Sequence, residues 1–129
     1  MGADIWIYTK KEPNFKDIDP EIIEGNNKVY YYRDPYNPFN LAWVIDLSYW
    51  IDFKKNPIKF LAKLSQIEDK QIEKYAKTEF KEYLEKIYNI NKKKEIEEKI
   101  QEFISWSKTK RDYLKRIVEA GIERVEYSI

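Results

Sequence analysis

The chain has 129 residues, which suits one domain built on one modest core. Its 43% hydrophobic share is globular, and 24 Lys and Arg against 23 Asp and Glu leave a net charge of +1, so no global field draws it to nucleic acid or acidic membranes. It has no Cys and no His, which excludes disulfides, zinc fingers, thiol nucleophiles and imidazole acid–base chemistry; any catalysis would use carboxylates, Lys, Arg, Tyr, Ser, Thr or a metal held by oxygen.

The opening MGADIWIYTK turns polar too soon for a signal peptide, and Trp6 stands where a myristoylation motif needs Ser or Thr. Leu41 to Ile51 is apolar but short, and it carries Asp46, so it does not read as a membrane span. A cytoplasmic protein without a membrane partner is expected.

Ile5, Trp6, Ile7 and Tyr8 are strand formers, and a strand is expected over residues 3–9. Ala3, Ile5 and Ile7 would face one side, with Asp4, Trp6 and Tyr8 on the other. A strand apolar on both faces reads as central. Residues 10–17 form a loop, and Asp19-Pro20-Glu21 is a helix start with an Asp cap and Pro in the first turn. One or two helical turns are expected there, ended by Gly25-Asn26-Asn27. Val29-Tyr30-Tyr31-Tyr32 reads as a second strand.

Arg33-Asp34-Pro35-Tyr36-Asn37-Pro38 cannot be regular, because two prolines stand three residues apart. Asn37-Pro38 then has the form of a helix start. It predicts a helix over residues 38–53, apolar nearly all round through Phe39, Leu41, Trp43, Tyr49 and Trp50, and therefore buried at the centre. Asn56-Pro57 opens a short helix through Leu64. Ser65 to Glu68 has capping-box spacing before an amphipathic helix reaching Tyr88, with Ile72, Ala76, Phe80 and Leu84 on one face. Asn91 would cap a long helix over residues 92–120, either continuous or broken near 105–109. Gly121 ends it, and residues 123–129 alternate as a terminal strand. The sum is a single α+β domain, residues 1–129: a small sheet from the N-terminal, Tyr-rich and C-terminal strands, covered by about four helices.

Several of these pieces carry a resemblance. Met1-Gly2-Ala3-Asp4-Ile5, Tyr32-Arg33-Asp34-Pro35-Tyr36-Asn37, Leu47-Ser48-Tyr49-Trp50, and Arg111-Asp112-Tyr113-Leu114 through Ser128-Ile129 together resemble a family of small uncharacterised proteins often carried by phages and prophages. Its members begin MGADI-aromatic and carry an aromatic-Arg-Asp-x-Tyr-Asn segment. This chain departs in Pro35 and in its Lys/Glu-rich helices. The resemblance implies a phage or mobile-element setting and little chemistry.

The sharpest constellation is the same Tyr-rich lead-in. On one reading Asp34 and Asn37 make turn and cap hydrogen bonds, and Arg33 pairs locally. On the other, Arg33 offers a planar fork for phosphate while Tyr30, Tyr32 and Tyr36 offer faces for a base, with Asp34 and Asn37 beside them. That second reading makes Tyr30, Tyr32, Arg33, Asp34, Tyr36 and Asn37 the candidate ligand site of a phage-type binding protein. Such a protein would sequester a nucleotide-like molecule or a host protein in a counter-defence role. It would be a binder in preference to an enzyme, and no cofactor is expected. Two alternatives stand beside it: a metal-dependent phosphodiesterase or nuclease using Asp4 and Asp34, with Asp46 and Asp52 as further acids, and a protein–protein inhibitor. Lys92 to Lys94 with Lys108, Lys110, Arg111, Lys115 and Arg116 are interleaved with acids, which argues against nucleic acid as a partner. The aromatic run at Trp43, Tyr49 and Trp50 would suit the core, or a homodimer interface where it emerges.

Overall fold

The computed structural model describes residues 2–129, and it is an α+β fold. Strand β1 (Gly2–Thr9) lies between β3 (Val29–Pro35) and β4 (Ile122–Ser128), antiparallel to both. A two-residue strand β2 (Gly25–Asn26) edges β3, so the order is β2-β3-β1-β4. The two terminal strands, β1 and β4, pair with each other, and β1 is central, as its two apolar faces suggest.

Strand alternation divides the sheet. Ala3, Ile5, Ile7, Tyr30 and Tyr32 are buried on the inner face. Asp4, Trp6 and Tyr8 point the other way, and their register sets them opposite Arg33, Tyr31 and Val29 on one side and Ser128, Glu126 and Arg124 on the other. Among the described residues this outer face stays partly open, with Trp6 38% exposed. Trp6 packs on Tyr31 with ring centroids 5.7 Å apart.

β2 is an element the sequence reading does not contain. Asn27 and Lys28 both take positive φ, 50° and 66°, which makes a tight two-residue hairpin turn between Asn26 and Val29. Gly25 has φ +140°, and a Cβ there would fall 2.2 Å from the Val29 carbonyl oxygen, so only glycine fits. The helix expected over residues 20–24 is a single 3-10 turn, Pro20–Ile22, with the Asp19 carboxylate accepting from the Glu21 amide at 3.0 Å.

The helix expected over residues 38–53 is broken. Helix α1 (Leu41–Val44) is one turn long and starts three residues late, with Asn40 as its cap. Asp46 takes φ +56°, and the Leu47 and Asp46 amides return to the Ala42 and Trp43 carbonyls, a Schellman stop built on an aspartate. The chain restarts as a π-helical turn, Tyr49–Phe53, in which the Asp52 carboxylate accepts from the Ser48 amide at 2.8 Å. Tyr49 and Phe53 are buried, but Trp50 and Ile51 are 51% and 69% exposed, so this is not a helix buried on all sides.

Helix α2 (Pro57–Ser65) follows as expected, with the Asn56 side chain capping Lys59. The capping box lies three residues beyond its expected place. Glu68 caps helix α3 (Asp69–Tyr75), its amide donating to Gln71 Oε1 at 2.8 Å, while Ser65 closes α2 by donating to the Ala62 carbonyl. α3 runs through a π-helical turn (Ala76–Phe80) into α4 (Lys81–Lys86). Helix α5 (Lys93–Glu119) is the continuous form of the long helix, unbroken at 105–109, and Gly121 at φ +83° returns the chain to the sheet. α5 lays Phe103, Tyr113, Leu114 and Ile117 into the core, where Phe103 stacks on Phe80 at 4.5 Å.

Candidate functional site

The six candidate residues do not form one surface. β3 alternates, so Tyr30, Tyr32 and Asp34 point inward and are 3%, 0% and 1% exposed, while Arg33 points out. Tyr36 and Asn37 lie beyond the strand. Tyr36 faces a separate groove with Trp43, Tyr49 and Tyr83. As surface contacts, Tyr30, Tyr32 and Asp34 are therefore corrected to core residues.

Asp34 is the hub of the interior. Its Oδ2 accepts from the Tyr32 hydroxyl at 3.0 Å and the Tyr49 hydroxyl at 2.5 Å, while Oδ1 is buried without a partner. Burial pushes the carboxyl above its usual range, against which the two phenols, the Lys110 charge and the Leu41 amide pull it down. Burial and the neighbouring carboxylate push both phenols far up, so they remain donors. Asp34 thus ties β3 to the Tyr49 turn. The following residues are also structural. Asn37 Oδ1 accepts from the Phe39 amide at 2.9 Å, and Asn40 bridges the Pro35 carbonyl and the Ala42 amide.

Arg33 lies on the open face in a three-residue cluster. Its guanidinium and the Tyr31 hydroxyl both donate to Asp4 Oδ1. The Arg33 bond, then the Tyr31 bond, hold the Asp4 carboxyl below its usual range. Gly2 lets this corner close, since a Cβ there would fall 2.8 Å from the Asp34 carbonyl oxygen. The convergence expected of Asp4 and Asp34 does not occur. Asp4 pairs with Arg33 and Asp34 with Ala3 across the ladder, so the two carboxylates point to opposite faces of the sheet. Among the described residues, no group of three or more Asp and Glu is placed to hold a metal.

The outer edge of β3 completes the site. The Tyr31 amide donates away from β1, to the Glu24 carbonyl at 2.7 Å, and the Tyr113 hydroxyl donates to the Tyr31 carbonyl at 2.9 Å. Alternation then turns the Arg33 amide and carbonyl outward as well, past the end of β2. Here a groove of about 420 Å³ opens between β3 and α5, lined by Arg33, Tyr31, Asn37, Phe39, Trp106 and Lys110, with Glu24 and Pro35 completing its wall. Trp106 and Lys110 are one helical turn apart on α5, which puts them on one flank. The Lys110 ammonium lies 5.2 Å from the Tyr32 ring centre and 5.9 Å from that of Trp106. It has no hydrogen bond or ion pair within 4 Å among the described residues, and its charge reaches the buried Asp34 carboxyl. The sequence reading counted Lys110 in an interleaved helical face and did not join it to Trp106; their i,i+4 spacing was the available signal.

No protein-family model, curated protein or solved structure matches this chain. No helix among the described residues is long and apolar enough to cross a membrane.

Proposed function

We propose that the protein binds a small anionic ligand with an aromatic ring, of the nucleotide kind, in the groove between β3 and α5. The observation that carries this reading is the unpaired Lys110 ammonium facing the outward edge of β3 across a groove walled by Trp106 and Tyr31. Lys110 and the Arg33 amide are donors for phosphate oxygens. Trp106 offers a ring face for a base, and Asn37 a polar edge. The volume, about 420 Å³, falls within the range of small-molecule sites. The Arg33 guanidinium has a smaller part than its sequence position suggests, since Asp4 already holds it. The resemblance to phage-carried proteins supports sequestration in place of turnover, with a nucleotide signal of a host defence as the class of ligand.

The test is calorimetric titration with mononucleotides, cyclic dinucleotides and inorganic phosphate, against wild type and Lys110→Ala, Trp106→Ala and Tyr36→Ala. Binding by one nucleotide class, weakened tenfold or more by Lys110→Ala and Trp106→Ala but unchanged by Tyr36→Ala, is the expected result. Equal affinity in Lys110→Ala overturns the site.

A further inference from the structure

The opposite edge of the sheet carries a second inference. β4 is the outer strand on that side. Tyr31 directs its main-chain groups away from β1, so Trp6, opposite it, directs its own toward Glu126 on β4. Glu126, Arg124 and Ser128 therefore bond inward to β1. Glu123, Val125 and Tyr127 present their amides and carbonyls outward, and none of these amides donates to a carbonyl elsewhere among the described residues. An unpaired edge seven residues long is a template for another strand.

We propose that this edge pairs with the same edge of a second copy of the chain, antiparallel, about a two-fold axis at Val125. The charge pattern selects that register. With Val125 opposite its own copy, Arg124 stands opposite Glu126 of the second copy, and the reverse pair repeats across the axis. A shift to an axis at Arg124 or at Glu126 sets like charges face to face. The hydrogen-bonding phase agrees, because Val125 on the axis has its main chain pointing outward. The two charges are already ordered: Arg124 Nη1 lies 2.5 Å from Glu126 Oε1, the guanidinium lies 3.8 Å from the Tyr8 ring centre, and the Tyr8 hydroxyl donates to Glu126 Oε2 at 3.1 Å.

Apolar surface beside this edge fits the same partner. Tyr127, 43% exposed, meets Phe53 edge-on at 4.8 Å, which brings the turn bearing Trp50 and Ile51 against β4. α2 also packs on β4, and its Ile58 is 44% exposed. An edge ladder alone buries little area, and these side chains extend it toward what a stable dimer needs.

The chain contains no cysteine, so the register is read directly by cross-linking. In Val125→Cys the two thiols face each other across a hydrogen-bonded pair, with Cα atoms about 5.5 Å apart, within reach of a disulfide. In Glu123→Cys the second copy's thiol lies four residues along, about 13 Å away, and out of reach. Mild oxidation should convert Val125→Cys to covalent dimer at least tenfold faster than Glu123→Cys. By sedimentation velocity, Arg124→Glu should lower dimer content, and Arg124→Glu with Glu126→Arg should restore it. A monomeric wild type at millimolar concentration, equal cross-linking at both positions, or a dimer indifferent to Arg124→Glu overturns the proposal.

Discussion

Replacing Tyr49 by Phe removes one oxygen atom and isolates the role of Asp34. The Tyr49 hydroxyl lies 2.5 Å from Asp34 Oδ2, in a site where Tyr49 is 3% exposed and no water can substitute freely. A hydrogen bond to a charged acceptor contributes roughly 1.5–3 kcal/mol, and one to a neutral acceptor about 1 kcal/mol. With Asp34 ionised, the loss should be about 2 kcal/mol. An unfolding entropy of roughly 2.1 cal/mol/K per residue turns that into a melting-temperature drop of about 7 °C for a chain of this length. The loss depends on pH with a definite sign. Burial raises the Asp34 carboxyl above its ordinary value of 3.8, so the folded state holds its proton to higher pH than the unfolded chain. The contribution of this group is full on the acid side and falls as pH rises through the folded value. The Tyr49 hydroxyl opposes that fall by favouring the ionised form. Thermal unfolding of wild type and Tyr49→Phe at pH 8 and pH 4 should give the larger drop at pH 8, because the ionised carboxyl makes the stronger bond. Equal drops at both pH values, or none at pH 8, would falsify the view that Asp34 is an ionisable hub held by its phenols.

Two further outcomes follow from the packing and the open face. Phe103→Ala should cost about 3–5 kcal/mol in urea unfolding, because Phe103 is fully buried and meets Phe39, Tyr75, Phe80 and Trp106; a loss under about 1 kcal/mol would contradict that cluster. Asp4→Asn should flatten the acid limb of the stability–pH curve. The Arg33 and Tyr31 bonds lower the Asp4 carboxyl, so its contribution is present above the unfolded value and fades as pH falls through the folded one. An unchanged acid limb in that variant would remove the cluster from the account.

The elements that sequence made legible are those set by periodicity and by caps with one geometry. β1, α2, α5 and β4 belong to this group, as do the Asp19 and Asn56 caps. The elements it hid turn on positive φ in residues other than glycine. Asp46 stops α1 inside an apolar run, and Lys28 occupies the second hairpin position where glycine is the usual signal. The candidate site was hidden for a different reason. Its residues come from β3 and from α5, which are joined only by tertiary structure, and no local pattern connects Arg33 to Lys110. Tyr-Tyr-Tyr-Arg-Asp reads as one cluster along the chain, yet period-two alternation sends its members to opposite faces.

That alternation also keeps the two proposals separable. The groove uses the outer edge of β3, and the pairing surface uses the outer edge of β4, with β1 between them. In the dimer the two β3 strands would stand five strand spacings apart, about 24 Å, so each groove keeps its own opening and takes its own ligand. Arg124 and Glu126 line no part of the groove, and Lys110 lies nowhere on β4. Arg124→Glu should therefore change the sedimentation coefficient without changing nucleotide affinity per chain, and Lys110→Ala should do the reverse. A variant at either edge that altered both readouts together would mean that the sheet transmits between its edges, which a rigid antiparallel ladder centred on β1 gives no means to do.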